Sequence, residues 1–247
     1  MVRKYTDEQL LQRVTEVEGF TKIPKGRWIL GVRSNEDIYN TYDDKFYVYQ
    51  GEKFIDVMTG TTNAGSVFMK GGFKKYNKNG VAIVKSDKWH HDIWEYGLHR
   101  RRMPSLRQTG AKIQIYRDND MDERTEEWGQ IYEGYFGINF HSNTYDFSKD
   151  NLKVTKNTIN SWSAGCQVVN QRDRYIKQIE WFKRAKEHTQ KWAIVDTNES
   201  KLPELELDTK EDDEVITTEE GIIISPVDYN IHYSSDDVTD TDDVDTD

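Results

Sequence analysis

Cysteine is almost missing from this 247-residue chain: Cys166 is the only one. A single thiol excludes an internal disulfide framework and every zinc motif built on paired cysteines. No apolar run approaches the ~18 residues of a membrane-spanning helix, so no span is expected. The first 30 residues turn polar at once, at Arg3-Lys4-Tyr5-Thr6-Asp7-Glu8, and contain no apolar core of a secretory leader. No signal peptide is therefore expected. The metallopeptidase signature H-E-x-x-H is lacking, and no internal repeat is present.

Charge, by contrast, is plentiful and unevenly placed. The formal net charge is −10, but residues 199–247 carry 18 acidic and 2 basic side chains, whereas residues 1–198 carry 26 and 32. A mildly basic body therefore precedes a strongly acidic tail. Such a body suits an anionic polymer, cell wall or nucleic acid. No nucleic-acid-binding motif accompanies it, so nucleic acid is not the expected partner.

Three regions follow from the pattern: an N-terminal helical docking segment over 1–22, a main domain over 23–197, and an acidic, largely disordered tail over 198–247. In the first, Thr6 and Gln9 form a capping box, and Leu10, Leu11, Val14 and Val17 recur at helical spacing. Pro24-Lys25-Gly26 then marks entry to the main domain. Strands are expected at Trp28–Val32, at Phe46–Tyr49 and Phe54–Met58 around the turn Gln50–Lys53, at Val81–Val84, at Ile113–Tyr116, within Trp128–Asn139, and at Trp192–Val195. Arg172 to His188 reads as the one long helix. Many short strands and one solid helix give a mostly β (β-rich α+β) fold class. In the tail, Asp236 to Asp247 contain only Asp, Val and Thr, and self-repulsion predicts disorder. The apolar island Gly221–Val227 would add an edge strand to a partner or to the chain's own domain.

The chemistry-bearing residues gather around the thiol. Cys166 follows Ser163-Ala164-Gly165, and an expected strand delivers His141 25 positions upstream. A thiolate is the attacking species in thiol chemistry, and an ordinary cysteine with a pKa of ~8.5 is mostly protonated at neutral pH. An imidazole nearby would take the proton, and N–H groups of a Gly-Cys turn would receive a developing oxyanion. A buried, inert thiol is the alternative reading.

These same residues resemble the L,D-transpeptidase (YkuD-like) family, whose pattern is a histidine followed, after a variable insert, by Ser/Thr-x-Gly-Cys. His141-Ser142 supplies the first half and Ser163-Ala164-Gly165-Cys166 the second. The similarity extends upstream to Tyr42–Tyr49 and Thr59-Gly60-Thr61-Thr62, covers roughly residues 27 to 196, and is greatest to a phage-associated branch. The resemblance implies a β-sandwich or barrel with the main helix after the cysteine motif. It implies catalysis by Cys166, His141 and Ser142, the last orienting the imidazole through its carbonyl. Gly165, Ser163 and Ala164 would shape the turn and the oxyanion site. Peptidoglycan stem peptides would be the substrate, without cofactor or metal. The setting would be a virion, or a host cytoplasm with later release to the wall, with other virion proteins meeting the N-terminal helix and the acidic tail. A non-catalytic virion structural or cargo protein of the same fold is the alternative.

Three departures bear on substrate choice. Ala164 stands where that family has a histidine, Gln167 and Val168 follow the cysteine, and 21 residues separate His141 from Ser163. His99, Arg100 and Gln167 are candidate substrate contacts, the first two meeting stem carboxylates from the segment His90-His91-Asp92 through Arg102. A zinc site built from those histidines and a solvated basic loop are the competing readings of that segment. Asp118, Asp120 and Asp122 alternate like the start of a calcium loop, but Glu123 stands where its glycine belongs, which favours an acidic turn.

Overall fold

A computed structural model describes residues 5–36, 38–195 and 227–233, the last seven and residues 188–195 by backbone alone. The mostly β, α+β class is the observed one. Eight strands close into a barrel: β1 (Arg27–Arg33), β2 (Asp44–Gln50), β3 (Lys53–Thr61), β5 (Lys88–His99), β6 (Met103–Gln108), β9 (Phe140–Ser142), β10 (Gln167–Val169) and β11 (Val227–Tyr233). Around the barrel the order is β1-β11-β5-β6-β9-β10-β3-β2. The expected β2–β3 hairpin is present, with a register shift between Val48 and Tyr49. Two contacts are parallel, β9 with β10 and β1 with β11, and the rest are antiparallel.

Alternation sends one side of each strand inward, where Ile29, Phe46, Met58, Trp94, Leu106 and Phe140 share one core. A second sheet of order β4-β7-β8 (Val81–Val84, Ile113–Asp118, Tyr132–Gly134) packs on the same core through Val84, Ile113 and Ile115. After the one-turn helix α2 (Lys149–Leu152), the long helix α3 (Arg172–Val195) adds Tyr175, Ile179 and Phe182 to it.

On the outer face of β1, the helix α1 (Asp7–Thr15) buries Leu10 and Val14 against Trp28, Leu30 and Trp89. Its capping box is formed by Thr6 and Gln9. The Trp89 indole N–H bonds the Val14 carbonyl at 2.7 Å. The apolar face of the N-terminal helix is thus packed on the chain's own barrel.

Four expectations change. Trp192–Val195 is no closing strand, because α3 runs on through it. The segment from His90 to Arg102 is no loop: it is most of β5 and the turn into β6. The strand expected within Trp128–Asn139 is β8, which belongs to the small sheet, while His141 lies on the separate strand β9. Within the expected tail, Val227–Tyr233 form β11, seated between β1 and β5. The rest of the tail, including most of the apolar island and Asp236 to Asp247, lies outside the described residues.

Candidate active site

The parallel pair β9–β10 positions the site. Phe140 pairs with Gln167, His141 with Val168 and Ser142 with Val169, and the Gln167 N–H bonds Asn139 O at 2.9 Å. Extending that register places Cys166 beside Asn139, on the same outward face as His141 and Val168. Strand spacing and rise put the Cα atoms of Cys166 and His141 roughly 8 Å apart.

The turn before β10 is held at every carbonyl. Ser163 O accepts from Gly65 N (2.9 Å), Ala164 O from Ala82 N (3.1 Å), Gly165 O from Gln167 Nε2 (3.1 Å) and Cys166 O from Ser163 Oγ (2.8 Å). Ser163 Oγ also accepts the Gly165 N–H at 3.0 Å. Gly165 has φ 127°, and a Cβ there would overlap Ala82 O, so only glycine lets β4 fasten this turn.

Two expected roles do not fit. Gly165 N–H is already bonded to Ser163 Oγ and is not a free oxyanion donor; the Cys166 N–H has no such commitment. Gln167 is 0 % exposed and folds back onto the turn, so it braces the motif and does not meet a ligand.

Cys166 is partly exposed, with Sγ 3.5 Å from Gly137 O. Desolvation pushes the thiol above its ordinary value, opposed by the Asn139 backbone N–H and the Arg100 charge. His141 is 1 % exposed. Its Nδ1 lies 2.7 Å from Ser142 O, a pure acceptor, so Nδ1 carries the proton and Nε2 a lone pair. That Nε2 is buried without a partner, and no hydrogen bond joins it to Cys166 Sγ. Burial, helped by neighbouring His99, lowers His141 to about 3. The resting pair is therefore a neutral thiol and a neutral imidazole. Ser142 Oγ is itself buried and unpartnered, and the residue touches the imidazole only through its carbonyl.

His99, the last residue of β5, stacks on His141 with ring centroids 4.3 Å apart and 21° between planes. Its pKa is lowered to about 4, chiefly by burial and then by Arg100 and Arg107. Beside the stack lies an open pocket of about 140 Å³ lined by His99, Arg100, Tyr145, Ser161 and Trp162. That volume suits one side chain or end group, well below the ~300 Å³ of a whole small-ligand site. Arg102 lies over the Tyr145 ring at 4.2 Å, and Tyr145 packs on Trp162 at 5.4 Å.

Asn139, Tyr145 and Trp162 were not expected as site residues, although two of them had a readable signal. Asn139 stands two positions before His141 and so shares its face of a strand, and Trp162 stands four before Cys166. The described histidines do not form a zinc site: His90 bonds Lys85 O and His91 stacks on Trp89, eight or nine positions back along β5 from His99 and so roughly 26 Å or more from the His99–His141 pair at ~3.3 Å per residue. Among the described residues no group of three His, Cys, Asp or Glu is arranged to hold a metal ion. Asp120 and Asp122 instead accept backbone N–H groups of Asp122 and Arg124, as in an acidic turn. No described helix is long and apolar enough to cross a membrane. Comparison of the chain with protein-family models, with curated proteins and with solved structures gives no match.

Proposed function

We propose that this chain is a cysteine acyl-transfer enzyme of the L,D-transpeptidase or L,D-peptidase kind, acting on peptidoglycan stem peptides and virion-associated or phage-encoded. The observation that carries the reading is the buried, unpartnered Nε2 of His141 on the same face as a partly exposed Cys166. A buried lone pair costs stability unless something uses it. A proton acceptor beside a thiol has an evident use.

In the proposed reaction the Cys166 S–H proton passes to His141 Nε2 as sulfur bonds to the stem carbonyl carbon, and the carbonyl π pair moves onto oxygen. Collapse restores the carbonyl and breaks the carbon–nitrogen bond. The leaving amine takes the proton from Nε2, and a thioester remains. An acceptor amine or water, deprotonated by Nε2, then attacks that thioester and releases the thiol. Ser142 O, bonded to Nδ1, steadies the imidazolium formed in between.

A second reading, a virion structural or cargo protein that keeps the fold but not turnover, is favoured by one observation. The thiol is raised in pKa and donates to Gly137 O instead of to the imidazole. Purified muropeptides incubated with the protein and analysed by mass spectrometry separate the two. Stem shortening or exchange that disappears in Cys166→Ala supports the enzyme. Unchanged muropeptides, with no labelling of Cys166 by a thiol-reactive β-lactam, leave the structural reading standing.

A further inference from the structure

The proton positions on both stacked rings follow from their partners, and they are opposite. Asn139 Oδ1 accepts the Gln108 backbone N–H at 2.9 Å, and a backbone N–H can only donate. The other arm of that side chain, 2.9 Å from His99 Nδ1, is therefore the NH2 group. An NH2 donor requires a lone pair on His99 Nδ1, which leaves the His99 proton on Nε2. In His141 the bond to Ser142 O puts the proton on Nδ1 and leaves the lone pair on Nε2. Two imidazoles 4.3 Å apart thus present one acceptor and one donor, and the donor ring lines the pocket together with Arg100.

The thiol's own turn supplies few donors. Of the three N–H groups in the segment Gly165–Gln167, Gly165 is bonded to Ser163 Oγ and Gln167 to Asn139 O. Only the Cys166 N–H is without such a bond, and one donor is thin provision for an oxyanion. Arg100 links the pocket to the thiol, because its charge acts on Cys166, His99 and His141 alike.

We propose that His99 is a catalytic hydrogen-bond donor, its Nε2–H receiving the acyl oxygen as Cys166 attacks, and that Asn139 is the positioning residue that fixes its tautomer. The assignment rests on the acyl-transfer reading for its chemistry but not for its tautomers. As sulfur bonds to the acyl carbon, the π pair becomes the oxyanion held by His99 Nε2–H and Cys166 N–H. It returns when the leaving group departs. Asn139 also accepts the Gln167 N–H through its carbonyl and directs its backbone N–H to the Cys166 sulfur, so one residue sets donor, strand register and nucleophile together.

Two measurements on the full chain test this. The first is two-bond proton–nitrogen NMR of the histidine rings near pH 7. His99 is expected to show an unprotonated Nδ1 and a protonated Nε2. In Asn139→Asp, which keeps the acceptor for Gln108 but removes the NH2 donor, Nδ1 is expected to gain a proton. A protonated His99 Nδ1 in the parent chain, or no change in the variant, overturns the tautomer assignment. The second compares Cys166 acylation by p-nitrophenyl acetate, which passes through an oxyanion, with alkylation by iodoacetamide, which does not. His99→Phe keeps a stacking ring without a donor. It is expected to slow acylation about 100-fold while alkylation stays within about 2-fold. Equal losses in both reactions, or none in acylation, overturn the donor role. A parent chain that is alkylated but never acylated overturns the acyl-transfer reading and the role of His99 with it, while the tautomers stand on the NMR alone.

Discussion

At the scale of single residues, side-chain absence matters as much as side-chain chemistry. Gly165 combines a φ of 127° with the Ala82 carbonyl lying where a Cβ would be. Gly165→Ala is expected to destabilise the protein by about 2–3 kcal/mol, read from urea denaturation, through strain and overlap together. The neutral resting pair has its own signature. Because desolvation raises the Cys166 thiol above its ordinary value, alkylation should climb with pH through the neutral range without a plateau there. A plateau near pH 6 or 7 would mean a preformed thiolate–imidazolium pair. Burial also lowers His141 to about 3 and His90 to about 4, from 6.5. Since the unfolded chain then binds protons more readily than the folded one, this stabilisation is complete above pH ~6.5 and fades as pH falls toward the folded values. Lowering pH from 7 to 5 should remove about 2 kcal/mol per ring. Calorimetry should show it as a falling Tm, with a shallower fall in His141→Asn. Cys166, His141 and the Ser163–Cys166 turn were readable in the chain because each is a local pattern. His99 was legible only as a candidate substrate contact and Asn139 only by its spacing from His141, since their stacking and hydrogen bonding depend on which groups meet across strands.

At the scale of elements, the β5–β6 hairpin is the feature the chain disguises best. Its turn has Arg100 at φ 49° and Arg101 at φ 65°, closed by the Arg102 N–H on His99 O at 3.2 Å. Two positive φ values suit Asn-Gly or Gly-Gly, not two arginines. A basic stretch without a glycine therefore reads as solvated loop, and the hairpin is revealed only by the six cross-strand pairs from Trp94↔Gln108 to His99↔Met103. Arg101→Gly is expected to raise stability by about 1 kcal/mol, seen as a higher urea midpoint, because it relieves a left-handed non-glycine residue. Arg100 should be left intact, as it lines the pocket. The end of α3 misleads in the opposite way. Trp192-Ala193-Ile194-Val195 has a strand-like composition, but each residue extends a ladder already running from Arg172. Propagating a helix fixes one more residue per hydrogen bond, whereas a lone strand needs a partner edge.

At the scale of the whole molecule, closure of the barrel depends on a strand from far along the chain. β11 pairs in parallel with β1 from Ile29↔Tyr229 to Arg33↔Tyr233 and antiparallel with β5. It is therefore an interior strand of the order, not an edge. Ile231, opposite both Gly31 and Lys88, tests this: Ile231→Pro removes a ladder donor from a strand flanked on both sides and should cost about 3 kcal/mol or more. Hydrogen exchange should then quicken along β1 and β5, while no effect on either strand would argue against the seating of β11.

Local information in the chain was enough for the helices α1 and α3, the β2–β3 hairpin, the mostly β class and the thiol–imidazole candidates. Each of these depends on neighbours a few residues apart: a capping box, an alternation, a turn, a Gly-Cys step. The tertiary structure alone decided that β9 and β10 run parallel, that His99 lies on His141, and that Asn139 sets the tautomer. It alone placed Val227–Tyr233 between β1 and β5. These are contacts between segments separated by tens to hundreds of residues. Burial in the closed barrel selects them, and no local pattern along the chain records which distant strand will lie alongside.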